Sequence, residues 1–132
     1  MKERIDQIVA AEIQGECVVV GHALGSVVSH QILTSIPAGQ ANVSLFMTLG
    51  SPLGLSAIRP HLKRRPLLKV GRWVNACDPR DVVALVERLE RPHFFDQIEN
   101  ITDVANPLGN AHGIGGYLRD AKVCRSLSQA FK

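Results

Sequence analysis

The sequence predicts an α/β domain, a mostly parallel sheet flanked by helices, on two observations. Helix-like and strand-like patterns alternate along the chain, the order that builds parallel sheets with helices on their faces. In addition, "ECVVVG" (Glu16 to Gly21) is short and apolar with no polar residue at every second position, as in a strand buried on both faces. With 132 residues the chain is one domain's length, read as a single unit over 1–132. That is enough to bury roughly two thirds of the unfolded surface around one core without a metal or disulfide staple.

The elements follow in order. Ile5, Ile8, Val9 and Ile13 recur at three- and four-residue steps and Gly15 follows, predicting an amphipathic helix closed by a glycine. The apolar strand ends at Gly21. From Leu24 to Ile36, Leu24, Val27, Val28, Ile32 and Ile36 return to a helical step, and Pro37 stops it. "NVSLFMTLG" (Asn42 to Gly50) reads as a second strand, "SPLGL" as a turn and "GRWVNAC" (Gly71 to Cys77) as a third strand, with at most a short helix between them. "DPRDVVALVERLER" is expected to start a helix, with Asp78 as cap, Pro79 at the first position and Asp81 in the first turn. A weaker edge strand is expected around Ile98 to Val104. A glycine-rich loop then leads to a closing helix with Tyr117, Leu118, Val123, Leu127 and Phe131 on its apolar side.

Composition narrows the function classes. The chain is 45% hydrophobic and 20% charged, which argues against disordered and fibrous classes, and its formal net charge is only +3. Arg59, His61, Lys63, Arg64, Arg65, Lys69 and Arg72 gather in one stretch that could attract phosphate or an anionic membrane. No aromatic residues interleave there as a nucleic-acid surface requires, so a solvated loop is the expectation and a nucleic-acid partner is not. Cys17, Cys77 and Cys124 have no metal-ligand spacing and cannot all pair, favouring a reducing, cytoplasmic compartment, and Cys17 and Cys77, in apolar strand-like runs, are expected to be buried structural thiols. No window is apolar enough for a transmembrane span, and the amino terminus has no apolar core of signal-peptide length. "GHALGS" lacks the third glycine and the spacing of a dinucleotide turn, and no cofactor or metal is expected.

The chemistry is expected at the strand-to-helix turn Gly21-His22-Ala23-Leu24-Gly25. A glycine, one residue, a central residue, one residue and a glycine form a nucleophile elbow, in which the strained central position projects its side chain above the sheet. Small flanking residues, here Gly21 and Gly25, let neighbouring backbone approach. The Leu24 amide, at the start of the next helix, is the candidate oxyanion donor. The centre holds Ala23 where such turns carry serine.

"VVVGHALGSVVSHQIL", "FMTLGSPLGL", "WVNACDPRDVVAL" and "NAHGIGGYL", in that order, resemble the carboxyl-terminal half of lipase- and esterase-like α/β hydrolases. The resemblance covers about Glu16 to Leu118 and implies a partial α/β-hydrolase fold from the elbow strand onward. It implies serine-ester chemistry on small-molecule or lipid-like esters, with the site in the order nucleophile, acid, histidine: Ala23 at the nucleophile position, Asp81 as acid with Asp78 as the alternative, and His112. His22 is expected to pack around the turn, and Ser51 of "GSP" to be structural. Ser26 is expected in the first helical turn, its hydroxyl pointing away from the elbow. His30, His61 and His93 belong to no constellation and are expected at the surface. Without a hydroxyl at position 23 the chain is expected to be inactive. Members of the family carry strands ahead of the elbow strand. One helix alone precedes Glu16 here, so a missing protein half or a homo-oligomer is expected to cover the sheet edge, unless the chain is a reduced, noncatalytic relative serving as a binding or assembly module.

Overall fold

The computed structural model describes residues 2–37, 39–63, 67, 70–95 and 97–132. The described elements are helix α1 (Lys2–Glu12), strand β1 (Gly15–His22), helix α2 (Leu24–Leu33), strand β2 (Ala41–Leu49), a 3-10 turn (Arg59–His61), strands β3 (Val70–Ala76) and β4 (Ile98–Ile101), and helices α3 (Ile114–Arg119) and α4 (Ala121–Ala130). The four strands run parallel in the order β1-β2-β3-β4. The α/β class and the mostly parallel sheet are therefore as the sequence predicts. No helix among the described residues is long and apolar enough to cross a membrane.

A register shift in the β1–β2 pairing, Cys17 facing Val43 and Val18 facing Leu45, resets the alternation along β2 at Ser44, and its side chains divide the core into two layers. Val43 and Phe46 join Trp73, Ile98, Leu53 and Phe94 beneath Ile13 and the α2 residues Ile32 and Leu33. Leu45, Met47 and Leu49 face the other way with Val74, Ala76, Val104, Tyr117 and Val123. Each large aliphatic group so buried contributes about 1.5–3 kcal/mol. Helices on both faces explain why β2 carries no alternating polar residues where it is deepest.

Three expectations about elements are corrected. Residues 78–90 form turns and extended chain, not a helix. Thr48, Asn75 and Asn100 are register partners across β2, β3 and β4. Thr48 Oγ1 donates to Asn75 Oδ1 (2.7 Å), and Asn75 Nδ2 donates to Asn100 Oδ1 (3.2 Å) and to the Glu87 carbonyl (3.1 Å). Asn100 in turn accepts from the Leu89 amide (2.9 Å) and donates to the Leu89 carbonyl (3.1 Å). Sheet side chains thus hold the backbone that a helix would have paired internally. The closing helix is also interrupted: Asp120 ends α3 and caps α4 by accepting from the Lys122 and Val123 amides, which leaves Leu118 and Phe131 exposed. Finally, α1 turns Val9 inward but leaves Ile5 and Ile8 exposed.

Candidate functional site

The parallel register brings the strand ends level. His22 pairs with Leu49, Leu49 with Ala76 and Ala76 with Ile101, so the residues that follow emerge at one end of the sheet. Open parallel sheets bind ligands at this carboxyl end.

Ala23 follows β1 with φ 55 and ψ −129, and it is the one non-glycine with positive φ among the described residues. Such a backbone costs of order 1–3 kcal/mol and persists only where its surroundings impose it. Here both ends are tied. The Ala23 amide donates to the Leu49 carbonyl (3.1 Å), and the Ala23 carbonyl accepts from the Ser26 amide (3.1 Å) and from Ser26 Oγ (2.6 Å). With its proton committed to that carbonyl, Ser26 Oγ accepts from Ser51 Oγ (2.6 Å), which itself accepts from the Leu53 amide (3.1 Å). The expected orientation of Ser26 is thus corrected: it lies in the first turn of α2, but its buried hydroxyl folds back onto the elbow because a strained carbonyl is there to receive it. Ser51 is buried in the same relay.

The flanking glycines are not equivalent. A Cβ at Gly21 would stand 2.6 Å from Ser26 Cα, whereas one at Gly25 would meet nothing within 4 Å. Close approach requires the first glycine only, correcting the expectation for the second. Leu24 begins α2 and is 66% exposed.

Asp81 and Asp78 are separated by their partners. His112 Nδ1 lies 2.9 and 2.8 Å from the two Asp81 carboxylate oxygens, the His112 side chain being 30% exposed and that of Asp81 fully buried. Donation from Nδ1 leaves the lone pair on Nε2. Tyr117 OH donates to Asp81 Oδ2 (2.6 Å) and the Val83 amide to Oδ1 (2.9 Å). Burial opposes the Asp81 charge, but the hydrogen bonds from Tyr117, His112 and Val83 outweigh it and hold the carboxyl below its ordinary pKa. Burial and the Asp81 contact push the Tyr117 phenol upward. Asp78 instead takes Arg80 side-chain nitrogens (2.6 and 3.0 Å), the Arg80 amide (2.8 Å) and the Asn106 amide (2.7 Å). Hydrogen bonding to Arg80 outweighs burial and lowers its pKa to about 2. Asp78 therefore caps a turn rather than a helix and ties the 106–111 loop to the sheet.

His22 closes the cluster. Its Nε2 donates to the His112 carbonyl (2.7 Å) and its ring stacks on the His112 ring, centroids 4.6 Å apart. The residue before Ala23 thus touches the predicted histidine directly. Gly50 (φ 54) underlies the group: a Cβ there would stand 2.5 Å from Asp81 Oδ2 and 3.1 Å from His112 Nδ1. Sequence reasoning placed Tyr117 in the core but missed its hydroxyl bonds. The available signal was a tyrosine, not a phenylalanine, on a buried stripe, since a buried phenol needs a partner.

The other titratable residues are dispersed. His30 is buried (4% exposed), not at the surface as expected, because it packs under α2 against Trp73. His61 and His93 are exposed, and Arg64, Arg65 and Lys69 of the basic stretch lie outside the described residues. Cys77 is buried, with its thiol pushed up to about 12 by burial first and nearby carboxylates second. Among the described residues no cluster could hold a metal ion. No family model, curated protein or solved structure matches this chain.

Proposed function

We propose that this chain carries the site of an α/β-hydrolase-like serine esterase or lipase from which the attacking oxygen is missing. It is inactive in acyl transfer as it stands. The observation that carries this reading is the His112 Nδ1 contact with both oxygens of buried Asp81, next to a strained strand-to-helix turn centred on Ala23. In such a constellation the carboxylate fixes the imidazole tautomer and the Nε2 lone pair takes the nucleophile's proton. Ala23 offers no atom to attack. The rim suits an apolar ester: Leu24, Val82 and Ile114, each within two residues of Ala23, Asp81 or His112, are exposed.

Ala23→Ser tests the reading with short p-nitrophenyl esters and a fluorophosphonate probe. In that variant the introduced hydroxyl would attack the ester carbonyl as His112 Nε2 accepts its proton. The oxyanion would form at the Leu24 amide, His112 would return the proton to the departing alkoxide, and water would release the acid by the same route. The Leu24 amide is the one donor this reading names, and a site that loses an oxyanion donor runs about 100- to 1000-fold slower. The expected result is slow hydrolysis and covalent labelling, both lost in His112→Ala. A folded Ala23→Ser protein that neither hydrolyses nor labels overturns the proposal.

A second reading, a binding or assembly module, draws on β1. Among the described residues this strand pairs with β2 on one side only, and Val20 is 40% exposed. Unpaired strand edges invite a further strand. Sedimentation that gives a monomer at all accessible concentrations counts against a second copy at that edge.

A further inference from the structure

A cavity of about 140 Å³ lies between α2, the Arg59–His61 turn and residues 92–95, sharing no lining residue with the Ala23, Asp81 and His112 cluster. Its walls include Trp73, Phe94 and Phe95, and its polar groups are Arg59, Lys63, His93 and His30. No described lining residue is acidic, and no described carboxylate pairs with Arg59 or Lys63.

Hydrogen-bond bookkeeping shows what this cavity lacks. Arg59 Nε donates to the Gly54 carbonyl (3.1 Å) and Nη1 to His93 Nδ1 (2.6 Å). A ring nitrogen that accepts carries no proton, so the His93 N–H is on Nε2. Lys63 Nζ donates to Ser35 Oγ (3.0 Å), which leaves two of its three protons unengaged among the described residues. His30 is 4% exposed, and its Nδ1 is buried with no hydrogen-bond partner among the described residues. Native interiors seldom leave such an atom unpaired.

We propose that this cavity binds a phosphate-sized oxyanion, held by Arg59 and Lys63, by the His93 Nε2–H and by the His30 imidazole at the buried wall. The volume equals roughly four or five waters at about 30 Å³ each, which fits the five heavy atoms of phosphate or sulfate and excludes a drug-sized ligand. Water alone could satisfy His30 but would leave two cations on one wall without a described counter-charge, so an entering anion gains an attraction that water does not. A cation is repelled. The aromatic walls make no polar demand of their own, the Trp73 indole N–H being already satisfied by Thr48 Oγ1 (3.1 Å).

Trp73 is the chain's single tryptophan and lines the cavity, so its fluorescence reports occupancy. Sulfate, inorganic phosphate and phenyl phosphate are titrated against sodium chloride at matched ionic strength. A saturable change is expected with the oxyanions and not with chloride. The apparent Kd should rise about tenfold in Lys63→Gln, whose side chain is exposed, and saturation should vanish in the Arg59→Gln/Lys63→Gln double variant with unchanged circular dichroism. Tighter binding of inorganic anions identifies a free ion, and tighter binding of phenyl phosphate identifies a group carried on a larger molecule; both support the site. No saturable change beyond the chloride control, or equal affinity in the double variant, overturns it. The result is independent of whether Ala23→Ser restores hydrolysis.

Discussion

His112 and His30 show two ways to hold an imidazole against a protein core. His112 keeps 30% of its side chain exposed, yet its Nδ1 is locked between the oxygens of a fully buried carboxylate. His30 is nearly sealed from water beside Trp73, yet its Nδ1 has no hydrogen-bond partner among the described residues. What separates them is the neighbour, not the depth. Around His112, donors from Tyr117 and Val83 sustain a charged carboxylate that orients the ring. Around His30 no charge partner is found among the described residues, and burial pushes its pKa down to about 4. A network specifies geometry; an orphaned atom leaves room for a ligand.

The strongest way to break this comparison is to exchange the carboxylates. In the Ala23→Ser background, Asp81→Asn should lower ester turnover about 10⁴-fold, because an amide donor facing Nδ1 favours the wrong tautomer. Asp78→Asn should lower it less than about tenfold, since Asp78 acts on Arg80 and the 106–111 loop and acts on the ring only through them. Equal losses in two folded variants would remove the distinction between the aspartates.

A second test acts on His30 through pH. Its folded pKa lies below the unfolded value of 6.5, so the unfolded chain binds more protons between about pH 6.5 and pH 4. Stability contributed by the neutral ring is complete above pH 6.5 and is lost as pH falls towards 4. The sum is about 3 kcal/mol at 1.36 kcal/mol per pKa unit. Arg59 and Lys63 line the same cavity, and burial is the one cause that moves the ring. Asp78, lowered to about 2, acts in a separate window: its contribution is present above about pH 3.8 and lost towards pH 2. Urea unfolding of His30→Phe should therefore show a flatter stability profile from pH 6.5 to 4, with the slope below pH 3.8 unchanged. A profile parallel to that of the parent protein would mean that His30 is not held neutral.

How much of this was legible in the sequence follows from what each residue's partner is. Apolar runs dictate their own burial, so "ECVVVG" and "NVSLFMTLG" announced β1 and β2, and the elbow spacing led to the strained backbone at Ala23. The expectation of His112 in a polar glycine-rich loop led to a ring that does meet Asp81. What was illegible depends on distant partners. Residues 78–90 have a good helix start, but Asn75 and Asn100 capture the Glu87 and Leu89 backbone across the sheet, and no local pattern encodes that. His30 looked like a surface residue because a single histidine on a helix does not say which aromatic ring it will meet. Ser26 was misoriented for the same reason: the carbonyl strained by the neighbouring turn, not helical geometry, decides where its hydroxyl goes.

The smallest effects come from two glycines that look alike in sequence. Gly50→Ala should cost about 2 kcal/mol, from a positive φ and a methyl 2.5 Å from Asp81 Oδ2, lowering Tm by roughly 8 °C. The same methyl would stand 3.1 Å from His112 Nδ1, so the imidazole resonances should shift as well. Gly25→Ala should be neutral or should stabilise by less than about 1 kcal/mol, because it lies in α2, its Cβ would meet open space, and alanine loses less backbone entropy in a helix. Calorimetry on the two variants, with His112 followed by NMR, checks both. A destabilised Gly25→Ala would mean that the elbow needs both glycines, and that the cluster around His112 leans on the first turn of α2 more closely than its contacts indicate.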